Sequence, residues 1–128
     1  MKLAKLPVAD QKHLEYAQGW LGLGNWLEAN DEFNNITPGL RTHPEVLRVW
    51  FDIAQRGGNW KLAYGVAHAL FEARGGRPVD LFNLARVACR LGKLTEAFEA
   101  IQQAIDCAGD FRKMALDDVD FKPLWAHL

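Results

Sequence analysis

Apolar residues recur along this chain at helical spacing and are interrupted by glycines. Between Pro44 and Arg56, the residues Leu47, Trp50, Phe51 and Ala54 fall at i, i+3, i+4 and i+7, which makes one apolar stripe on a helix. Pro44 suits the first helical turn, where its missing N–H is not needed. Gly57-Gly58 predicts the stop, because glycine accepts the left-handed conformation of a C-terminal cap. Asn59 can cap the next helix, whose stripe is Trp60, Ala63, Ala67 and Leu70, and Gly75-Gly76 ends it. The scheme returns as Leu81, Leu84, Ala85, Ala88 and Leu91, then Gly92, then Leu94, Ala97, Ile101 and Ala104. Earlier in the chain it reads Tyr16, Ala17 and Trp20, then Gly24, then Trp26, Ala29, Phe33 and Ile36. The predicted helices are 10–22, 26–36, 44–56, 60–73, 78–91 and 94–108.

The pattern is also periodic. Gly24, Gly58 and Gly92 are spaced by 34 residues, and so are Pro44 and Pro78. Six further columns agree in apolar character: Tyr16/Trp50/Leu84, Ala17/Phe51/Ala85, Trp20/Ala54/Ala88, Trp26/Trp60/Leu94, Ala29/Ala63/Ala97 and Phe33/Ala67/Ile101. Self-similarity at this period marks a helical repeat array. The alanines one turn into each second helix let paired helices approach closely, and Trp26, Trp50 and Trp60 fill the gaps left elsewhere.

At this point the residues resemble a known family. The segment Leu91-Gly92-Lys93-Leu94-Thr95-Glu96-Ala97-Phe98, continued to Ala104, is similar to the core of a tetratricopeptide repeat. That unit is a helix–turn–helix with a turn glycine, a large residue two later, an alanine three beyond, an aromatic four further and a late alanine. Gly24-Asn25-Trp26 through Ala29 to Phe33 follows it well, whereas the second unit has Ala67 in place of the aromatic. Phe51 stands in a column of small residues, and Ile36 and Leu70 replace the late alanine. The resemblance covers residues 10–108. It implies an all-α fold: an α-α superhelix, or solenoid, of three helix hairpins (about 10–43, 44–77 and 78–109) in a single domain, 1–128. The stretch Met114 to Trp125 resembles the ending of bacterial chains of this family, so 110–128 is read as a cap in which Leu116, Phe121, Leu124 and Trp125 cover the last hairpin.

Charge and composition narrow the function. The 128 residues carry a formal net charge of -1, which argues against nucleic acid and gives no reason to expect an anionic membrane. Residues 44–77 hold 5 basic and 3 acidic side chains and residues 78–128 hold 6 and 8, a mild bias. No apolar run is long enough for a signal peptide or a membrane span, so a reduced, cytoplasmic protein is expected. Cys89 and Cys107 read as buried or half-buried thiols rather than a disulfide framework. Arg86 and Arg90 flank Cys89 and offer a second reading, a thiol of lowered pKa. His13, His43, His68 and His127 have no metal-ligand spacing, and neither glycine pair matches a phosphate-binding loop. Asp117, Asp118 and Asp120 read as a solvated acidic turn, since the rest of a calcium loop is missing. No catalytic residue, metal or cofactor is expected, and no enzyme.

The expected function is a protein-binding scaffold. In a solenoid the first helix of each hairpin lines the concave side. The face opposite the stripes then carries Leu14 and Gln18, Arg48, Asp52, Gln55 and Arg56, and Phe82, Arg86 and Arg90. Leu14, Leu21 and Phe82 would give the groove an apolar floor, with arginines around it suited to carboxylates. The expected guest is a protein or peptide segment bearing acidic groups. The bland alternative is an ordinary solvated face with internal pairs, such as Asp52 with Arg48 or Arg56. Leu14 and Gln18 stand where chaperone-partner repeats place a lysine–asparagine clamp, so that clamp is not expected. Self-association into a homodimer through Trp20, Trp26 and Trp125 is the other function considered.

Overall fold

A computed structural model describes residues 5–128, and these are helical throughout with no strand among them. The helices are α1 (Val8–Gly22), α2 (Trp26–Phe33), α3 (Pro44–Arg56), α4 (Trp60–Ala73), α5 (Pro78–Arg90), α6 (Leu94–Cys107) and α7 (Asp110–Leu116). Short 3-10 segments follow α2 (Pro38–Leu40) and α7 (Val119–His127). Two compact units result: one ends at Asn59 and the other begins at Trp60.

The turn glycines repeat their geometry as well as their spacing. Gly24, Gly58 and Gly92 have φ of 76, 72 and 74°. In each turn the residue after the glycine donates to the carbonyl five residues back: Asn25 to Trp20, Asn59 to Ala54 and Lys93 to Ala88, all at 2.9 Å. Each glycine N–H also reaches the carbonyl three residues back (Leu21, Gln55 and Cys89) at 3.0–3.1 Å. This is the Schellman cap, and a side chain at the left-handed position would strain it.

Gly57 has a different reason to be small. Its φ of -80° suits any residue. A methyl built on it, however, would lie 2.9 Å from ring carbons of Trp26. The Trp26 ring lies against the end of α3, and only a missing Cβ admits it. Gly57→Ala is therefore expected to cost about 1–3 kcal/mol through overpacking. A denaturation midpoint equal to that of the unsubstituted chain would show that the ring moves aside freely.

In the first unit, α1 and α2 pair and α3 packs on both. Their core holds Leu14, Ala17, Leu21, Ala29, Phe33, Ile36, Val46, Val49 and Ile53, with Trp50 stacked on Phe33 at 5.6 Å between ring centres. The stripe expected on α1 is rotated: Tyr16 and Trp20 are exposed, while Leu14 and Leu21 are buried. The reason is position. The counterpart Trp50 packs on the preceding α2 through Phe33, whereas the described residues ahead of α1 supply only Leu6 to the core. Helix α2 stops at Phe33, three residues short of the expected end. Thr37 precedes Pro38, which disfavours continued helix, and its N–H donates to buried Asp10 at 2.8 Å.

In the second unit, α5 and α6 form the most extensive pair, and α4 packs on α5. Their junction contains a buried ion pair. The Arg74 guanidinium donates from Nε to Asp80 Oδ2 at 3.1 Å and from Nη2 to Asp80 Oδ1 at 2.6 Å. The Asp80 side chain is wholly buried, one turn into α5. The core is Leu81, Phe82, Ala85, Ala88, Cys89, Ala97, Ala100, Ile101 and Ala104, closed by Ala115, Phe121 and Leu124. Leu94, expected in the stripe, is 41 % exposed at the start of α6.

Candidate protein-interaction site

The residues expected to line a groove divide between the two units. On the first unit, α1 and α3 bring together Gln11, Leu14, Glu15, Gln18, Glu45 and Arg48 around an open pocket of about 400 Å³. Leu14 is buried in the core and offers no apolar floor. Two carboxylates accompany the one guanidinium, so the wall is polar rather than basic. Gln55 Nε2 donates to Asp52 Oδ1 at 3.1 Å. Arg56 is taken up differently: its Nη1 donates to the Leu21 carbonyl at 2.7 Å, satisfying an end carbonyl of α1. The Asp52–Arg56 pair weighed from the sequence is replaced by these contacts.

On the second unit, the expected groove face is covered by the chain itself. Residues 117–128, hereafter the strap, lie across α5. Phe82 is buried, with the Phe121 ring centre at 5.0 Å and that of Phe111 at 5.7 Å. Arg86 faces Asp120 at 3.7 Å and Asp118 at 4.0 Å, and Arg90 faces Asp120 at 3.4 Å. The Arg90 guanidinium also lies 4.4 Å over the Trp60 ring. Asp118 caps the 3-10 segment by accepting from the Asp120 N–H at 2.9 Å, and Trp125 Nε1 donates to the Ala115 carbonyl at 2.9 Å. An apolar residue with two arginines at helical intervals thus meets an acidic–acidic–aromatic segment.

Several expectations change here. Phe82 is a core residue and not an exposed anchor, because Phe121 and Phe111 cover it. Asp118 and Asp120 are half-buried partners of arginines instead of a solvated turn. Cys89 is not an activated thiol. Burial pushes it up to about 11, and Asp120 and then Asp118 add to the rise. The arginines that would have lowered it are turned toward those same carboxylates. Cys107 is exposed. Leu116 is 42 % exposed at the end of α7, whereas Phe121 and Leu124 are buried. Trp26 and Trp125 are half-buried in their own units, whereas Trp20 is exposed.

Two apolar patches stay open. Tyr16, Gly19, Trp20 and Leu23 line one on α1, flanked by Glu15 and Glu32. Leu94, Phe98, Pro123 and His127 border another of about 350 Å³ between α6 and the strap. Among the described residues there is no cluster of three or more His, Cys, Asp or Glu side chains able to hold a metal ion, and no helix long and apolar enough to cross a membrane. Comparison with protein-family models, with curated proteins and with solved structures finds no match for this chain.

Proposed function

We propose that this chain is a tetratricopeptide-type repeat protein, its hairpins stacked as a solenoid, that binds another protein in a concave groove lined by the first helices of its hairpins. One observation carries the reading: the face of α5 bearing Phe82, Arg86 and Arg90 holds a peptide segment, the chain's own strap, by ring contact and charge. A helix face that seats one segment in this way has the chemistry to seat others. On the matching face of the first unit, Gln18 and Arg48 stand beside the open polar pocket, with no strap over them among the described residues. It suits a segment that presents both backbone polar groups and a carboxylate. The three Schellman turns at 34-residue intervals support the repeat assignment.

Arg48→Glu tests this. Partners captured by the tagged full chain and then purified are expected to bind the variant about tenfold more weakly or worse. A partner that holds both proteins equally would move the site off α1 and α3.

Self-association is the second reading, favoured by the exposed side chains of Tyr16, Trp20 and Leu23 on one patch. Sedimentation of the same samples over a range of concentrations separates it, since a constant monomer mass removes it.

A further inference from the structure

We infer that the α5 face is a docking site for a partner segment with an acidic–x–acidic–aromatic sequence, and that the strap is its resident, displaceable occupant. This rests on the protein-binding reading above and adds the partner's chemistry and a gate.

The strap is matched to α5 point by point, with buried rings at its centre and longer charge contacts at its acidic end. Phe82, Arg86 and Arg90 follow one another at intervals of four residues. They meet Phe121, then Asp118 with Asp120, then Asp120. The charge contacts span 3.4–4.0 Å. Locked charge-assisted bonds are shorter, about 2.7–2.9 Å. The backbone of residues 119–127 is one continuous 3-10 run. Such runs have poorer hydrogen bonds and seldom exceed about four residues. The outer side of the strap is wet: Val119 is 70 % exposed, and Lys122, Pro123, Ala126 and His127 are exposed as well. A terminal segment anchored by Phe121, Leu124 and the Trp125 indole, with a 3-10 backbone and ion pairs of 3.4–4.0 Å, is the kind that opens before the rest of a fold.

Its advantage over a partner is connectivity. A tethered segment presents itself at an effective concentration on the order of 1 mM. A competing segment must reproduce the acidic pair and the ring, and it gains by contacts beyond them. Masking of the face lowers a partner's apparent affinity by the fraction of chains with the strap open. Cys89 lies in the α5 core that the strap closes and reports on it: buried now, it becomes reactive once the covering segment and its carboxylates leave.

The experiment uses the full chain with Cys107→Ser, leaving Cys89 as the only thiol. Asp118→Asn with Asp120→Asn loosens the strap, and Asp120→Asn alone serves if the double variant does not unfold cooperatively. The probe is a fluorescent peptide with the sequence of residues 117–128. The loosened chain is expected to bind the peptide about tenfold more tightly than the unloosened chain. Adding Arg86→Glu with Arg90→Glu is expected to abolish that binding. Cys89 is expected to react faster with a disulfide reagent in the loosened chain and to slow again when peptide is added. Equal peptide affinity with and without loosening overturns the gate, as does binding that ignores the arginines. Concentration-dependent dimers of the loosened chain without peptide binding overturn it in favour of strap exchange between copies. Arg48 lies on α3, outside this arrangement, so the gate can fail while the scaffold reading stands.

Discussion

Arg74→Ala is expected to destabilise the protein by about 3–5 kcal/mol, the cost of leaving a buried carboxylate without its counter-ion. Asp80 has no exposed side-chain surface, and both of its oxygens accept from the one guanidinium. Removing the arginine leaves a charge in a low-dielectric site with its hydrogen bonds unmade. Asp80→Ala strands the partner in turn, but Arg74 keeps 19 % of its side-chain surface in solvent and can turn toward water, so the loss there is smaller. Replacing both together, Arg74→Met with Asp80→Leu, is expected to recover most of the stability, because an apolar pair of similar volume has no desolvation penalty. Urea denaturation of the three variants measures this. A single Arg74→Ala within about 1 kcal/mol of the parent would mean that water reaches Asp80, and the pair would then rank with surface salt bridges.

Phe121→Ala is expected to cost about 3–5 kcal/mol, the range for emptying a buried aromatic site. The ring is fully buried and supports Phe82 from the outer side of α5. What distinguishes this position from other core aromatics, such as Phe33, is where the damage goes. The strap can peel away while α5 and α6 keep their own pairing, so the loss appears first as local opening. Cys89 reads it directly. Its thiol is held up at about 11 by burial, then by Asp120 and by Asp118, and opening removes the two carboxylates and whatever part of the burial the strap supplies. The thiol then returns toward its ordinary value, and at pH 8 its labelling is expected to accelerate by at least about tenfold through the larger thiolate fraction. The sign is fixed: a raised pKa favours the protonated thiol in the folded state, so folded chains react slowly and opened ones quickly. Leu70→Ala, in α4 of the same unit, should lower the denaturation midpoint without changing the early rate at Cys89. If both substitutions release the thiol alike, the strap has no independent stability.

The helices and the regularly spaced glycine turns were legible in the sequence because local rules set them. Apolar spacing chose the buried faces of α3 and α6, proline placed the starts of α3 and α5, and glycine placed the turns at 24, 58 and 92. Each of these depends on a few neighbouring residues, and such residues act wherever the chain folds. Gly57 shows the boundary of that reasoning. Its sequence role looked like its neighbour's, but the structure assigns it to the approach of Trp26, some thirty residues away.

The site was only half legible. That Phe82, Arg86 and Arg90 share one face of a helix followed from helical periodicity, and that its arginines would suit carboxylates followed from the chemistry of arginine. That the acidic segment would come from the same chain did not follow, although Asp118, Asp120 and Phe121 carried the complementary charges and ring in plain view. The Arg74–Asp80 pair was likewise invisible, since nothing in the spacing of two common charged residues says that the carboxylate will lose its water altogether. Periodicity determined which residues share a face of one helix. Only the tertiary structure decided which faces were buried and by what, because burial is set by what the chain brings alongside, and two segments far apart in sequence meet only when the whole backbone has been placed.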